Sequence, residues 1–413
     1  SLAKYNLQDQ IIDEYEDATG IDASASTNEL LTSGAYSGGS QSLGGSTTKE
    51  FAATNASWSI GAGSVIDKMF VIGGGGAGGN RDAAGTNEAG AGGGGGGWIG
   101  AIDWTVPAGI SSANVTVGAG GTGGGSNATG NTGGTSSIVF GSELTLTATG
   151  GAGGTVSSGS GASAGGAGGA GSKSGSTTIT TLALAGGQGG DAHGMNTADG
   201  GSNGGSGSLD STTYYSAGGG GGGSGNAAGA TGGDGQSASY SGGGGGGGGD
   251  GETENSGKAG GSGYGTAGEG ASTDGNEDGG SKTVDSATVN GGIGSTGGTT
   301  RPQNNAGGGG LFGGGGGGIG DGIGAATTGH GAQGYVRVEY QPMNTTVSDL
   351  TLQSTDTTAS TEADNADMVM LMENAAGTAT LNTDIKGYIS RDSGSTFTQG
   401  TLVDEGTWGT NKK

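Results

Sequence analysis

The chain has 413 residues, of which 113 are glycine and none is cysteine, and its formal net charge is −24. The acidic excess disfavours nucleic acid and anionic lipid as partners, and the lack of cysteine removes disulfides and thiolate metal sites. With 29% hydrophobic residues, only three prolines and no strict G-X-Y period, the chain has too little for several ordinary cores and does not fit a collagen triple helix.

Residues 1–33 have ordinary complexity. Leu7, Ile11, Ile12 and Tyr15 recur at three- to four-residue spacing, which predicts an amphipathic helix ended by Gly20. Its apolar stripe wants a partner, either its own chain or an assembly contact. The opening SLAKYNLQ does not read as a secretory signal peptide. Residues 34–56 read as a Ser/Thr/Gly linker.

Short β-branched or aromatic stretches follow, bounded by turn residues: Lys68–Ile72, Trp98–Val106, Asn114–Val117, Ser137–Phe140, Leu144–Thr149 and, far downstream, Gly334–Tyr340. Trp58, Trp98, Trp104 and Phe140 lie among them as expected core. No apolar run approaches the ~18 residues of a membrane span.

Between these strands glycine falls in blocks, with polar inserts such as DAHGMNTAD, SLDSTTYYSA and QSASYS. A run without side chains builds no hydrophobic core and loses much backbone entropy on ordering. It is therefore disordered or packed as only glycine permits. A flexible linker mixes Ser and Gly, whereas here bulky residues are segregated from glycine. Segregation suits a stack of extended threefold helices that hydrogen-bond to one another, with the inserts as turns at the ends. Residues 344–413 read as strands separated by turns, an antiparallel β-sandwich cut short at Lys413.

The ordered series KMFVIGGGGAGG, GGGGGWIGAIDWTVPAGISSANVTVGAGGTGG, GGTSSIVFG, LTLTATGGAGG and the closing GYVRVEY resembles the glycine-rich domain of phage tail-fibre and adhesin proteins. The resemblance covers residues 57–340. It implies a polyglycine II lattice whose loop tips, variable in sequence, contact a host receptor. Residues 344–413 are similar to β domains of tail-fibre-like proteins of marine phages. The expected fold is thus mostly β and irregular: short strands framing a polyglycine II bundle, with an N-terminal helix and a C-terminal β-sandwich-like domain. The expected domains are 1–33, 34–56, 57–340 and 344–413.

Few residues suggest chemistry. GxGxxG recurs by composition and means nothing without a βαβ setting. His193 and His330, the only histidines, have no nucleophile and acid beside them, so no enzyme is expected. DGNEDGGSKTVD fits a calcium-loop spacing, with Asp274, Asn276, Asp278 and Asp285 as oxygen ligands and Gly279 as the sharp turn; the alternative is a plain acidic loop. Calcium is the one cofactor candidate. SRDSGSTF resembles the Asp-box, in which Ser390, Asp392, Gly394, Thr396 and Phe397 form a structural hairpin turn or, on a lesser reading, touch sugar. Tyr214, Tyr215 and Tyr240, with His193 and Arg301, are receptor-binding candidates on insert tips, although the tyrosines could instead cover the lattice edge.

These observations and the resemblance together suggest a virion surface protein of the tail-fibre or adhesin type. Its partners would be a host glycan or outer-membrane protein, other virion proteins, and further copies of itself, a trimer being one option. The alternatives are a shaft, collar or capsid-decorating subunit, or a cellular extracellular adhesin or filament.

Overall fold

The structure is a computed structural model. It describes residues 15, 17–32, 34–80, 89–125, 127–157, 162–193, 199–210, 213–224, 240–246, 281–284, 287–292, 306–319, 328–361, 366–371 and 378–407. Two compact units divide the chain: Gln41–Asn344, and Ser1–Ser40 together with Thr345–Lys413. The described residues are strands in several small sheets, turns and extended runs; no helix occurs among them, and so none long and apolar enough to cross a membrane.

The larger unit is built on two five-stranded sheets. The first runs Thr180–Leu184, Trp98–Thr105, Val65–Ile72, Tyr335–Gln341, Thr47–Phe51, and all its neighbours are antiparallel. The second runs Gly171–Ser174, Leu144–Ala148, Ser136–Phe140, Ser112–Thr116, Asn55–Ser59. The strands expected from the sequence are found within a few residues of their predicted bounds.

Alternation along Val65–Ile72 explains how the first sheet is buried on both faces. Met69 and Val71 join Trp58, Trp104, Ile138, Phe140, Leu144 and Leu146 in a core between the two sheets. Phe70 and Ile72 point the other way, to Trp98, Tyr215, Leu311, Phe312 and Tyr335. There the Phe312 and Tyr335 rings stack at 4.0 Å, and Trp98 lies 5.0 Å from Tyr215.

The glycine runs continue these strands. After Ile72 the chain enters residues 73–80, and residues 91–97 lead into Trp98. Along 73–80 every amide donates at 2.8–3.0 Å, and the acceptors repeat every third residue. Residues 73, 76 and 79 donate to 97, 94 and 91; residues 74, 77 and 80 to 134, 131 and 128; residues 75 and 78 to 332 and 329. The carbonyls of the same run accept from residues 121 and 124, 151 and 154, and 316 and 319. Six neighbours thus surround one run, three through its donors and three through its acceptors. That is the hydrogen-bond pattern of a threefold polyglycine II helix in a lattice. Run 91–97 is enclosed in the same way, donating to residues 149–155, 187 and 190, and 313 and 316.

Sheet direction carries into the lattice. The antiparallel pair Val65–Ile72 and Trp98–Thr105 continues as the antiparallel runs 73–80 and 91–97. Tyr214–Ser216 pairs in parallel with Tyr240–Ser241, and residues 219 and 222 then donate to 243 and 246, still in parallel.

Three expectations are corrected. The N-terminal helix is replaced, wherever that segment is described, by turns and strand. Tyr15, placed on the helical stripe, has φ 57°, the left-handed region that a right-handed helix cannot use. Asp17 then accepts from the Thr19 amide and Asp22 from the amides of Ser24 and Ala25, local bonds that compete with helix formation. Glu29–Thr32 is a strand antiparallel to Ala35–Leu43. Residues 1–14, which hold Leu7, Ile11 and Ile12, lie outside the described residues.

The expected linker carries the strands Ala35–Leu43 and Thr47–Phe51 and the start of Asn55–Ser59. Thr47–Phe51 is an edge strand of the first sheet, exposed at Thr47 and Thr48 and buried at Phe51. The C-terminal segment is no β-sandwich either. Its described residues give the strand Met343–Val347, which lies in one sheet with Glu29–Thr32 and Ala35–Leu43, isolated bridges, and one short hairpin, Tyr388–Ile389 with Thr398–Gln399. Residues 366–371 are extended and exposed, with no sheet pairing. Met368, Val369, Met370 and Leu371 remain solvent-exposed, and among the described residues no second sheet lies on this stretch.

Candidate functional site: the two ends of the lattice

Because the strands enter the runs from one side, the lattice has a sheet end and a far end. Run 217–224 fixes the direction. Ala217, next to the strand Tyr214–Ser216, donates to Gly205, while Ser224 at the opposite end donates to Gly90. Eight residues at ~3.1 Å per residue separate the two ends by roughly 25 Å.

At the far end the runs finish on short ladders: Ala89–Gly90 with Val156–Ser157, and Ala162–Ser163 with Ala192–His193. Asn80 bridges to Ala128 and to Ile319. Where the glycines stop, buried polar side chains supply the bonds that another backbone would have made. Thr328 Oγ1 donates to the Gly78 carbonyl (2.6 Å) and accepts from the Gly124 amide (3.0 Å). Ser224 Oγ donates to the Gly90 carbonyl (3.0 Å) and accepts from its amide (3.1 Å). Asp191 Oδ1 accepts from the Gly165 amide at 2.8 Å. Asn80, Ser224 and Thr328 are fully buried.

His193 lies beyond these terminators. Its Nε2 sits 3.4 Å from Asp199 Oδ2, with both side chains solvent-accessible. Residues 81–88, 158–161, 194–198 and 320–327, which follow directly from far-end residues, lie outside the described residues.

Tyr214 and Tyr215 are at the sheet end, not with His193. Tyr214 is 67% exposed, whereas Tyr215 is buried against Trp98 and Phe70 and is therefore core, not a tip residue. Neighbouring residues of a strand face opposite ways, and here the inner way is the aromatic cluster. Tyr240 sits on a strand paired with Tyr215. The turn before Tyr214 is held by Asp210, whose Oδ1 accepts from the Thr213 amide and whose Oδ2 lies 3.4 Å from Lys68 Nζ. The five receptor candidates thus do not converge: His193 and Tyr214 are a lattice length apart, and Arg301 lies outside the described residues.

The calcium-loop residues Asp274, Asn276, Asp278, Gly279 and Asp285 also lie outside the described residues. Within that pattern Ser281–Val284 is a strand paired with Ala287–Asn290. Among the described residues no group of acidic or histidine side chains is arranged to hold a metal ion.

The Asp-box is a hairpin turn in the smaller unit. Asp392 Oδ1 accepts from the Thr396 amide (2.8 Å) and the Ser390 hydroxyl (2.8 Å), and Oδ2 accepts from the Thr396 hydroxyl (2.7 Å). The flanking pairs Tyr388–Ile389 and Thr398–Gln399 close the hairpin, Gly394 takes φ 79°, and Phe397 is half-exposed.

Sequence reasoning did not single out Asn80, Asp191, Ser224 or Thr328. The available signal was position, since each polar residue stands at the boundary of a glycine run.

A family model described as a glycine-rich domain matches residues 46–267, just over half of the chain. No curated protein matches it.

Proposed function

Because the chain belongs to the glycine-rich domain family, we propose that it is a phage tail-fibre or adhesin subunit that meets a host surface with the inserts that leave the far end of its lattice. The observation that carries this reading is the separation of roles along the runs. Interior positions admit backbone and at most an occasional methyl group, and buried Asn80, Ser224 and Thr328 fix the last residues. Inserts between the runs can then change in sequence without disturbing the base that holds them. A rigid base also keeps down the entropy lost on binding. The far-end pair His193 and Asp199 belongs to this surface, and a host glycan or outer-membrane protein is its partner. Such a protein works on the virion surface.

Exchanging residues 194–198 for a Gly/Ser segment of equal length is expected to lower adsorption of particles carrying the variant by about ten-fold or more. Tyr214→Ala, at the other end, is expected to leave adsorption unchanged. Unchanged adsorption after exchanges of both 194–198 and 81–88 would count against the receptor role.

A second reading, a shaft, collar or capsid-decorating subunit, is favoured by the exposed apolar side chains Met368, Val369, Met370 and Leu371 of the smaller unit, which suit an assembly contact.

A further inference from the structure

We propose that the outer layer of the lattice, runs 118–124, 128–134, 149–155 and 164–170, is a self-association surface that takes the same face of a second copy of this chain. The four runs are hydrogen-bonded in sequence: Gly134 to Ala119, Gly133 to Gly151, and Ala152 to Ala167. Among the described residues, each has neighbouring runs on its inner side only.

The outer side is an open edge of the hydrogen-bond lattice. In run 149–155, residues 149, 152 and 155 donate to run 164–170, and residues 151 and 154 donate inward to 74 and 77. Gly150 and Gly153, the third class, have neither a donor nor an acceptor bond among the described residues and are half-exposed. Gly120, Gly123 and Gly168 are in the same state. Free amides and carbonyls therefore recur every third residue, about 9 Å apart at ~3.1 Å per residue. Like the edge of a β-sheet, this row is a template for more backbone of the same conformation. A partner run must share the threefold repeat to meet it in register, and this chain itself supplies such runs.

Charge selects the occupant. The chain carries −24, so most of its surface repels a second copy, yet neither 118–135 nor 149–170 contains any charged residue. The outward side chains are uncharged and, apart from Asn131, which donates to Thr122 Oγ1, are alanines and threonines such as Ala119, Thr132, Ala164 and Ala167. Methyl groups of this size fit between runs, since Ala77 and Ala332 are fully buried within the lattice. Both parallel and antiparallel neighbours occur inside it, so a twofold-related face can pair by contacts already present. Four runs at ~4.8 Å spacing and seven residues in length give roughly 420 Å² per copy. The total is below the ~1,200 Å² of stable complexes, so the contact is weak and reversible in solution and strengthened where copies are held side by side. The inference does not depend on the receptor reading.

Sedimentation of the full chain over a concentration series tests it. The average mass is expected to rise with concentration, and amide exchange of Gly150, Gly153 and Gly168 to slow over the same range. Ala119→Glu and Ala167→Glu, whose side chains point to solvent, are each expected to weaken association by about ten-fold or more. Gln188→Glu, exposed on the adjoining run 185–190 outside the face, is expected to leave it unchanged. A chain that stays monomeric throughout, association indifferent to both alanine variants, or equal loss with Gln188→Glu would overturn the proposal. If one alanine variant fails to fold by circular dichroism, the other variant and the exchange measurement on the unaltered chain still decide.

Discussion

A β-carbon built on Gly246 would stand 2.0 Å from the carbonyl oxygen of Gly307 and 2.6 Å from its carbon. The constraint is closeness, not dihedral freedom, since Gly246 is not among the glycines with positive φ. Gly246→Val is therefore expected to destabilise the larger unit at the upper end of the ~1–3 kcal/mol typical of overpacking, or beyond it. Tyr214→Ala, at an exposed tip, is expected to change stability by no more than about 0.5 kcal/mol. Urea unfolding of both variants checks this, and equal tolerance at the two positions would sink the lattice. That glycine must pack backbone on backbone was legible in its segregation from bulky residues. That Tyr215 is buried while Tyr214 is exposed was not. Strand alternation separates the two side chains, but only the sheet decides which side is inner.

Among the elements, the Asp-box hairpin was read correctly as a turn because its side chains bond within eight residues of sequence. Hydrogen bonds from Thr396, its hydroxyl foremost and then its amide, and from Ser390 hold the Asp392 carboxyl below its ordinary value. A depressed folded-state pKa stabilises the hairpin fully above the ordinary carboxylate value of ~3.9 and ceases to do so as pH falls through the folded value. Acid titration followed at the Thr396 amide by NMR is expected to show a midpoint below ~3.9, and Asp392→Asn to abolish that transition. A midpoint at or above the ordinary value would contradict the hydrogen-bond account. The N-terminal helix failed as a prediction for a related reason. Periodicity scored Tyr15 as part of an apolar stripe, but Asp17 and Asp22 offered the backbone nearer partners than a helix would. The linker was misread because strand identity there comes from pairing with Tyr335–Gln341, almost 300 residues downstream.

At the scale of the whole molecule, the run surroundings are graded. Pure-glycine runs such as 92–97 are interior, and outer runs read X-G-G, with the exposed X recurring at Ala164, Ala167 and Ala170 and buried glycine at Gly166 and Gly169. At low protein concentration, hydrogen exchange should show this arrangement directly. Amides of run 73–80 are expected to be protected throughout, whereas in run 149–155 Gly151 and Gly154 are protected and Gly150 and Gly153 exchange freely. Uniform exchange along the outer run would be incompatible with a threefold lattice.

The sequence by itself determined that glycine and side chains would be kept apart, that short strands would frame the glycine, and that no ordinary core could fill the space between them. Those are local consequences of composition and of residues within a few positions of one another. Only the tertiary structure decided which runs are neighbours, which glycines face solvent with unpaired backbone, and that His193 and Tyr214 stand at opposite ends. Glycine runs are chemically alike, so their partners are chosen by the strands that feed them, through pairings such as residues 73 with 97 and 75 with 332 that no local pattern encodes.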